Sequence, residues 1–282
     1  MGIWELRRKH FFGGHKLARK EKRFFSQNGE DGIHEAIFKK IGEGDRYYVE
    51  FGVKDGNECC TRYLRERHKW TGLLMDGSHE NPGINLHKEF ITADNIGELF
   101  RKYQVPNEFD LLVIDIDGND IYVWYKLCQP DNKDAYRPRV VTIEYNARFP
   151  PNDDRMISYE SDFVWRERSE YFGASLSALH KIGVHLGYRL VYCEKMGVKA
   201  LFGRNDLADK YFPKNGSIDA IYKPPRYNHR RGWFELDQGR QYHWRQSAEI
   251  ESELGLHKRP AKPSGRVSDE SGQQLKLHPD VA

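Results

Sequence analysis

Two acidic residues separated by one position follow the most apolar run of the chain, and a similar polar pair follows the next run. The first pair is Asp115 and Asp117 in LLVIDIDGND, and the second is Glu144 and Asn146 in VVTIEYN. Residues two apart on extended backbone point to the same face, so the side chains of each pair can converge. Carboxylate and amide oxygens are the ligands that Mg²⁺ and Ca²⁺ prefer. We therefore predict a divalent-metal site at Asp115, Glu144 and Asn146, with Mg²⁺ as the expected ion.

The same acidic residues could also act without a metal. A carboxylate beside a hydroxyl group can remove its proton, and this role falls to Asp115 or Glu144, with Asp117 next to them. His180, in a predicted helix over residues 175–186, is a further candidate base. The predicted catalytic residues are therefore Asp115, Asp117, Glu144 and His180.

A second pattern surrounds the glycines of YYVEFGVKDGNECCT. Aromatic and β-branched residues predict a strand that ends at Glu50 and Phe51. Gly52 and Gly56 then allow a sharp turn or the close approach of a ligand. A strand, a glycine loop and a helix start are typical of nucleotide-type sites, and an ordinary strand–helix loop is the alternative.

The loop chemistry favours one kind of cofactor. Asp76 lies 24 residues after Gly52, close to the offset of about 20 residues at which an acid receives a ribose hydroxyl pair. The glycine spacing is G-x-x-x-G, which differs from the pyrophosphate-binding G-x-G-x-x-G, and Glu50, Asp55 and Glu58 would repel phosphate. A cofactor with a ribose and no phosphate fits better. We expect S-adenosyl-L-methionine, whose sulfonium and amino groups are cationic.

Alternating strands and helices must position these residues. Strands are predicted at Tyr47–Phe51, Gly72–Asp76, Phe90–Ala93, Asp110–Asp115 and Arg139–Tyr145, with a closing hairpin of Tyr188–Tyr192 and Ala200–Arg204. The pattern predicts an α/β fold with a doubly wound, mostly parallel, Rossmann-like sheet, helices on both faces and a C-terminal antiparallel hairpin. Such folds bind ligands beyond the carboxyl ends of their strands, where the acidic residues fall.

Composition limits the class of protein. The chain has 282 residues, of which 38% are hydrophobic and 31% charged, and no apolar run approaches the roughly 20 residues of a membrane span. The first thirty residues lack the apolar core of a signal peptide. The four cysteines show no paired C-x-x-C spacing, which argues against zinc. We expect a cytoplasmic protein with reduced thiols and no transmembrane segment.

The two ends of the chain differ from the middle. Residues 1–24 carry net +6, with Trp4, Phe11 and Phe12 among the charges, so this basic arm is expected either to contact an anionic surface or polymer or to form a solvated helix. Residues 223–282 are polar and largely irregular, with a short helix near Gln246–Leu254, and should add little to the core. The predicted functional domain is therefore 25–222. Nucleic acid is an unlikely partner because the predicted site is acidic.

Several motifs together resemble a known family. E-F-G-x-x-x-G, Asp76, T-A-D-N and I-D-I-D-G-N-D are similar to those of class I methyltransferases, and over Ser26–Leu207 the chain looks most like the FkbM-type O-methyltransferases. The resemblance implies that Glu50, Gly52 and Gly56 line the methionine end of the cofactor. It implies that Asp76 binds the ribose and Asp94 the adenine amine. The remaining residues expected at the cofactor site are Thr61, Asn95 and Asp115.

The sequence departs from that family in two places. FkbM-type chains usually carry a Glu-Gly-Glu-like run where this chain has Asp117-Gly118-Asn119-Asp120, and asparagines are more usual after Gly56. The substrate is therefore not transferable from the resemblance. Aromatic residues between the fifth strand and the next helix, with Asn152 and Asp153 among them, suit a sugar ring. A saccharide or related polyol is the expected substrate.

Two other functions are compatible with the sequence. D-x-D after an apolar strand resembles the haloacid dehalogenase-type phosphatases, with Asp115 as nucleophile and Asp117 as general acid. Asn119 replaces the hydroxyl residue expected there, and the motif falls on the fourth strand, which weighs against a metal-dependent phosphatase. A non-catalytic Rossmann-like binding module is the third alternative.

Overall fold

The computed structural model describes residues 14–165, 169–212, 217–226 and 242–256. Its strands are β1 Tyr47–Phe51, β2 Thr71–Asp76, β3 Leu86–Lys88, β4 Glu108–Ile114, β5 Arg137–Glu144, β6 Met156–Ile157, β7 Tyr188–Cys193, β8 Lys199–Arg204 and β9 Trp244–Arg245. Seven of them form one sheet in the order β3-β2-β1-β4-β5-β8-β7, and β6 pairs with β9. Strands β1 to β5 are parallel, whereas β8 runs antiparallel to both β5 and β7. The predicted fold class is confirmed.

Helices cover both faces of the sheet. They are α1 Gly14–Ala18, α2 Glu30–Ile41, α3 Arg62–His68, α4 Ile96–Lys102, α5 Asp120–Cys128, α6 Leu176–His185, α7 Asn205–Tyr211, α8 Ile218–Ile221 and α9 Ile250–Glu253. Side chains from α1, α2, α3 and α7 share one apolar core with the sheet, and those from α4, α5 and α6 share the other. Because the central strands are buried on both faces, β4 reads as a nearly continuous apolar run.

One predicted strand is in the wrong place. The third strand is Leu86–Lys88, and residues 90–93 form no strand. Asn95 explains the difference, since its side chain accepts a hydrogen bond from the Thr92 amide at 2.9 Å and donates to the Phe90 carbonyl at 2.8 Å. These bonds turn the backbone out of the sheet before α4 begins. The other predicted strands agree with the structure to within about two residues.

Both ends of the described chain pack against the sheet domain. Leu17 is fully buried, and Glu21 accepts hydrogen bonds from the Tyr192 hydroxyl and the Lys195 amide. At the other end, Ile250 is buried and the Tyr125 hydroxyl donates to Glu251 at 2.7 Å. Residues 14–24 and 242–256 therefore belong to the folded unit, contrary to the expectation that the last sixty residues add little to it. The predicted short helix near residues 246–254 is present.

The basic arm can be followed only in part. Trp4, Phe11 and Phe12 of this arm lie outside the described residues. Within the described ranges, no helix combines the length and apolar character that crossing a bilayer requires.

Candidate functional site

The predicted acids meet at the carboxyl edge of the sheet, where β1 and β4 lie side by side. The chain leaves β1 towards α3 on one face and leaves β4 towards α5 on the other. A crevice opens at such a switch point in doubly wound sheets, and ligands bind there. The loop after β1, residues 52–61, and the loop after β4, residues 115–119, flank the switch point in this protein.

Three carboxylates converge at this edge. Asp115, Asp117 and Glu144 each place one carboxylate oxygen within 4.8 Å of the others. Asp115 also forms an ion pair with the ammonium of Lys199, whose side chain is 2% exposed. Lys199 is the first residue of β8 and is in register with Glu144 on β5. We call these four residues the acidic centre.

Mutual repulsion and burial shape the proton affinities of this centre. Asp117 is exposed at one side, but loss of hydration beside the protein and the neighbouring Asp115 and Asp120 raise the pKa of its carboxyl group to about 7, against an opposing effect of Lys199. Burial and Asp115 likewise raise the pKa of Glu144 well above its usual value. Burial alone would lower the pKa of Lys199, but Asp115 and Glu144 outweigh it and raise it. Asp117 is therefore the carboxyl group of the centre whose pKa lies near neutral pH.

Backbone strain marks the same two loops. Lys54 and Asp117 adopt positive φ values of 51° and 57° in the loops after β1 and β4. Such conformations are costly for residues other than glycine and cluster at functional sites. Asp120 supports the second loop, because its buried carboxylate accepts the amides of Ile116 at 3.0 Å and Gly118 at 2.8 Å. Burial and the negative charge of Asp115 raise the pKa of Asp120 to about 6.

The acidic centre has the donor set for a hard divalent cation. Asp115, Asp117 and Glu144 supply carboxylate oxygens, and the Glu144 Oε2 atom is buried without a hydrogen-bond partner among the described residues. Asn146, the third predicted ligand, is bonded elsewhere. Its Nδ2 donates to the carbonyl of Glu170, and its Oδ1 accepts the Arg148 amide. Asp117, predicted as a catalytic residue, is the third carboxylate that lies with Asp115 and Glu144, and the role of Asn146 as a ligand stays a prediction.

The two glycines of the loop after β1 lie where an added side chain would clash with other parts of the protein. Gly52 has φ 70°, and a Cβ atom there would lie 1.6 Å from the carbonyl oxygen of Asp115. Gly56 has φ 77°, and its Cβ would lie 2.5 Å from the Ile84 side chain. The loop after β1 thus crosses directly over the end of β4. Gly52 therefore allows the close approach of the loop after β1 to the acidic centre.

Glu50 and Thr61 are bonded to each other beneath the loop. The buried Glu50 carboxylate accepts the amides of Cys60 at 2.7 Å and Thr61 at 2.9 Å, and also the Thr61 hydroxyl at 2.6 Å. Burial raises the pKa of Glu50, although these bonds and Lys199 oppose the effect. Both predicted cofactor residues therefore fix the start of α3, and Thr61 is fully buried.

Asp76 ties two loops together at the end of β2. Its Oδ2 accepts the Lys54 amide at 2.7 Å, and its Oδ1 accepts the amide and hydroxyl of Ser78 and a bond from His79. Burial would raise the pKa of Asp76, but these hydrogen bonds outweigh it and lower the pKa. The carboxylate stays ionised although Asp76 is 6% exposed, and its Oδ2 accepts one hydrogen bond from the described residues.

Asp94, predicted to bind adenine, contacts the aromatic segment that follows β5. Asp94 is exposed and accepts the Tyr159 hydroxyl at 2.8 Å. Asn95 is engaged by the turn before α4. Tyr159 comes from the segment after β5, whose Phe163 ring occupies the space beside Gly118. This segment therefore joins the edge of the predicted adenine pocket to the loop of the acidic centre.

His180 has no role in this geometry. It lies in the middle of α6, where burial and the adjacent Lys181 lower its pKa. Within the described residues, no hydrogen bond or ion pair connects it with Asp115, Asp117 or Glu144. Sequence reasoning missed Lys199 and Asp120 instead. Lys199 directly precedes the predicted strand Ala200–Arg204, and the sequence carried no signal that this strand would be buried with a lysine at its start.

Comparison of the chain with protein-family models and with curated proteins gives no match to either. The resemblance to methyltransferases that the motifs suggest therefore stays a prediction. Function has to be argued from the geometry and charge of the site.

We predict that Gly52→Ala destabilises the protein by more than about 2 kcal/mol, because the added Cβ meets the Asp115 carbonyl and the backbone has positive φ. The matched control is Gly97→Ala in α4, where a Cβ meets nothing within 4 Å. That change should be neutral or stabilise by up to about 1 kcal/mol. Urea unfolding measures both. Equal stabilities for the two variants would contradict the close crossing of the loops.

The acidic centre should make stability depend on pH. An acid whose pKa is raised by folding binds its proton more tightly in the folded state. Its contribution to the free energy of unfolding is therefore fully present below about pH 4 and is lost as pH rises through about 7. Asp117→Asn removes one such acid, and asparagine tolerates the positive φ. We expect the loss of unfolding free energy between pH 5 and pH 8 to shrink by about 1 kcal/mol, a value reduced for solvent screening. Asp131→Asn, in an exposed loop, should leave the loss unchanged, and a similar pH profile for both variants would refute the prediction.

Proposed function

We propose that the protein is an S-adenosyl-L-methionine-dependent O-methyltransferase that acts on a hydroxyl group of a saccharide or related polyol. One observation carries the proposal. Asp115, Asp117 and Glu144 converge at the β1/β4 switch point, where a doubly wound sheet binds a nucleoside-containing cofactor. The motifs that resemble FkbM-type methyltransferases fall in the loops that build this crevice.

The charge of the crevice supports a cationic cofactor. Asp55 and Glu58 in the loop after β1 are exposed, and Asp117 lies exposed across the crevice. An acidic crevice attracts a sulfonium and an ammonium group and repels phosphates. The Oδ2 of Asp76, which accepts one amide of the protein, and the exposed carboxylate of Asp94 suit ribose and adenine donors. When bound, S-adenosyl-L-methionine supplies the methyl group.

The acidic centre also supplies a base for the acceptor hydroxyl. A general base works best when its pKa lies near the working pH, and burial with like charges brings Asp117 to about 7. Glu144 is the second candidate, since its Oε2 atom is buried and has no hydrogen-bond partner in the described part of the chain. Lys199 stabilises the negative charge of Asp115 beside them.

A magnesium ion fits the same three carboxylates. Asp115, Asp117 and Glu144 would hold it, and it would orient the acceptor hydroxyl and lower its pKa. Lys199, paired with Asp115, makes the centre one charge less negative, and this lowers its affinity for Mg²⁺. The role of the three side chains as base and orienting groups holds with or without the ion.

A metal-dependent phosphatase is the second candidate, because the D-x-D pair is part of the same cluster. Phosphoryl transfer needs cations around the phosphate, and the described cation of this cluster, Lys199, is buried against Asp115. Release of phosphate from p-nitrophenyl phosphate would favour this candidate. Binding of neither cofactor nor phosphate ester would leave a non-catalytic module.

The cysteines and the charge distribution favour a cellular compartment and a class of partner. All four cysteines are buried free thiols, which supports a reducing compartment such as the cytoplasm. The basic arm, most of which lies outside the described residues, is proposed to contact an anionic surface or polymer. The acidic crevice disfavours nucleic acid as substrate.

Cofactor binding tests the proposal directly. Calorimetry with S-adenosylhomocysteine should give a one-to-one complex with the wild-type protein. Asp94→Ala should weaken it about tenfold or more, as expected for a lost bond to a charged group. Tyr159→Phe removes the same Asp94–Tyr159 hydrogen bond but keeps the carboxylate, so its affinity should not fall. No binding by the wild type would overturn the proposed function, and tight binding by Asp94→Ala would remove Asp94 from the site.

Metal binding is tested separately. Addition of Mg²⁺ should raise the melting temperature of the wild type, because a ligand of the folded state stabilises it. Glu144→Gln should abolish this increase, whereas Asp131→Asn should retain it. If Mg²⁺ stabilises wild type and Glu144→Gln equally, the centre acts through its carboxylates alone.

A further inference from the structure

A second concave surface lies beside the segment that follows β5. It is a groove of about 620 Å³ whose lining includes Asn152, Asp153, Asp154, Lys181, Trp244 and Arg245. We call it the polar groove. Its volume falls in the range of small-molecule sites, and its walls come from the β5–α6 segment, from α6 and from the C-terminal segment.

We propose that the polar groove binds a neutral sugar unit of the acceptor, next to the unit that is methylated. This inference rests on the proposed function, because it gives the saccharide substrate a second point of attachment. It predicts that the protein prefers oligosaccharides to single sugars.

The groove is within reach of the acidic centre along the chain. Glu144 ends β5, and the groove begins at Pro150, six residues later. Six extended residues span at most about 20 Å. A short oligosaccharide covers such a distance, so one chain could occupy both places.

The aromatic part of the groove is rigid and partly open. The ring of Trp244 meets Phe149 edge to face with centroids 4.8 Å apart, and meets Tyr171 at 4.9 Å. Tyr171 is itself stacked on Tyr242 at 4.7 Å. Trp244 is neither buried nor fully exposed. A fixed indole of this kind offers the apolar surface against which the C–H face of a sugar packs.

The polar part of the groove is charged but balanced. Asp153 pairs with Arg155 at 2.9 Å, Asp154 with Lys181 at 2.8 Å, and Arg245 with Glu253 at 2.7 Å. Each positive group thus lies against a negative one, which removes the attraction for a charged ligand. The paired groups keep fixed donors and acceptors at the rim, which suits the hydroxyl groups of a neutral sugar.

The groove depends on the C-terminal segment. β9, which contains Trp244 and Arg245, pairs with β6, and Ser247 bonds to Asp154 through its amide and its hydroxyl. The same Asp154 holds Lys181 of α6. One carboxylate therefore joins the walls of the groove, which makes the C-terminal segment part of the substrate-binding surface.

Calorimetry on the full chain tests the inference with maltohexaose, cellohexaose and chitohexaose, and with glucose as the single sugar. At least one hexasaccharide should bind, more tightly than glucose. Trp244→Ala should weaken that binding about tenfold, whereas Phe24→Ala, which changes a half-exposed ring outside the groove lining, should not. Asn152→Ala, an exposed change at the rim, gives a second variant with a smaller loss if Trp244→Ala fails to fold.

Three outcomes would overturn the inference: no hexasaccharide binds, Trp244→Ala and Asn152→Ala both bind as the wild type does, or only an acidic chain such as hexagalacturonate binds. Titration of the same samples with S-adenosylhomocysteine separates the two proposals. Cofactor binding with no effect of the groove variants refutes the groove alone. Saccharide binding without cofactor binding refutes the methyltransferase.

Discussion

The ammonium of Lys199 lies in the interior of the protein among carboxylates that would otherwise repel one another. Asp115 pairs with it directly, and Glu144 lies opposite it in the sheet register. Removing two opposite charges from water costs several kcal/mol each, and only close pairing offsets that cost. The position of β8 is therefore tied to the ends of β4 and β5. An antiparallel strand beside β5 is what places its first residue, Lys199, at the carboxyl edge.

The rest of the crevice follows from this edge. Gly52 lets the loop after β1 cross over Asp115, and Asp76 holds that loop at Lys54. Glu50 and Asp120, both buried, bond to backbone amides at the starts of α3 and α5. Each of these acids satisfies amides that a helix or turn leaves unpaired. The acids near the strand ends thus form two groups. Glu50, Asp76 and Asp120 bind backbone amides of the loops, whereas Asp115, Asp117 and Glu144 form the carboxylate cluster.

Much of this arrangement could be predicted from the sequence. Apolar runs set the strands, so Asp115, Asp117 and Glu144 were placed correctly at neighbouring strand ends. The contacts of Asn146 could not be predicted, because it follows the end of β5 and its side chain is bonded to the backbone of Glu170 and Arg148 in later segments. A glycine pattern does not reveal what approaches the glycine, and at Gly52 it is the protein backbone. Lys199 was missed because its partner depends on a hairpin register between residues far apart in sequence.

The proposed function depends on an acidic crevice, on the loop after β1 and on a C-terminal segment that lines the polar groove. The central claim is that Lys199 and the carboxylates form one coupled unit. The most direct test is a double-mutant cycle of Lys199→Met and Asp115→Asn, with unfolding free energies measured at pH 8. We predict that Lys199→Met costs about 3 kcal/mol or more, since it leaves buried charge unpaired. The double variant should cost clearly less than the two single losses added together. Additive losses, or a Lys199→Met variant as stable as the wild type, would contradict the account.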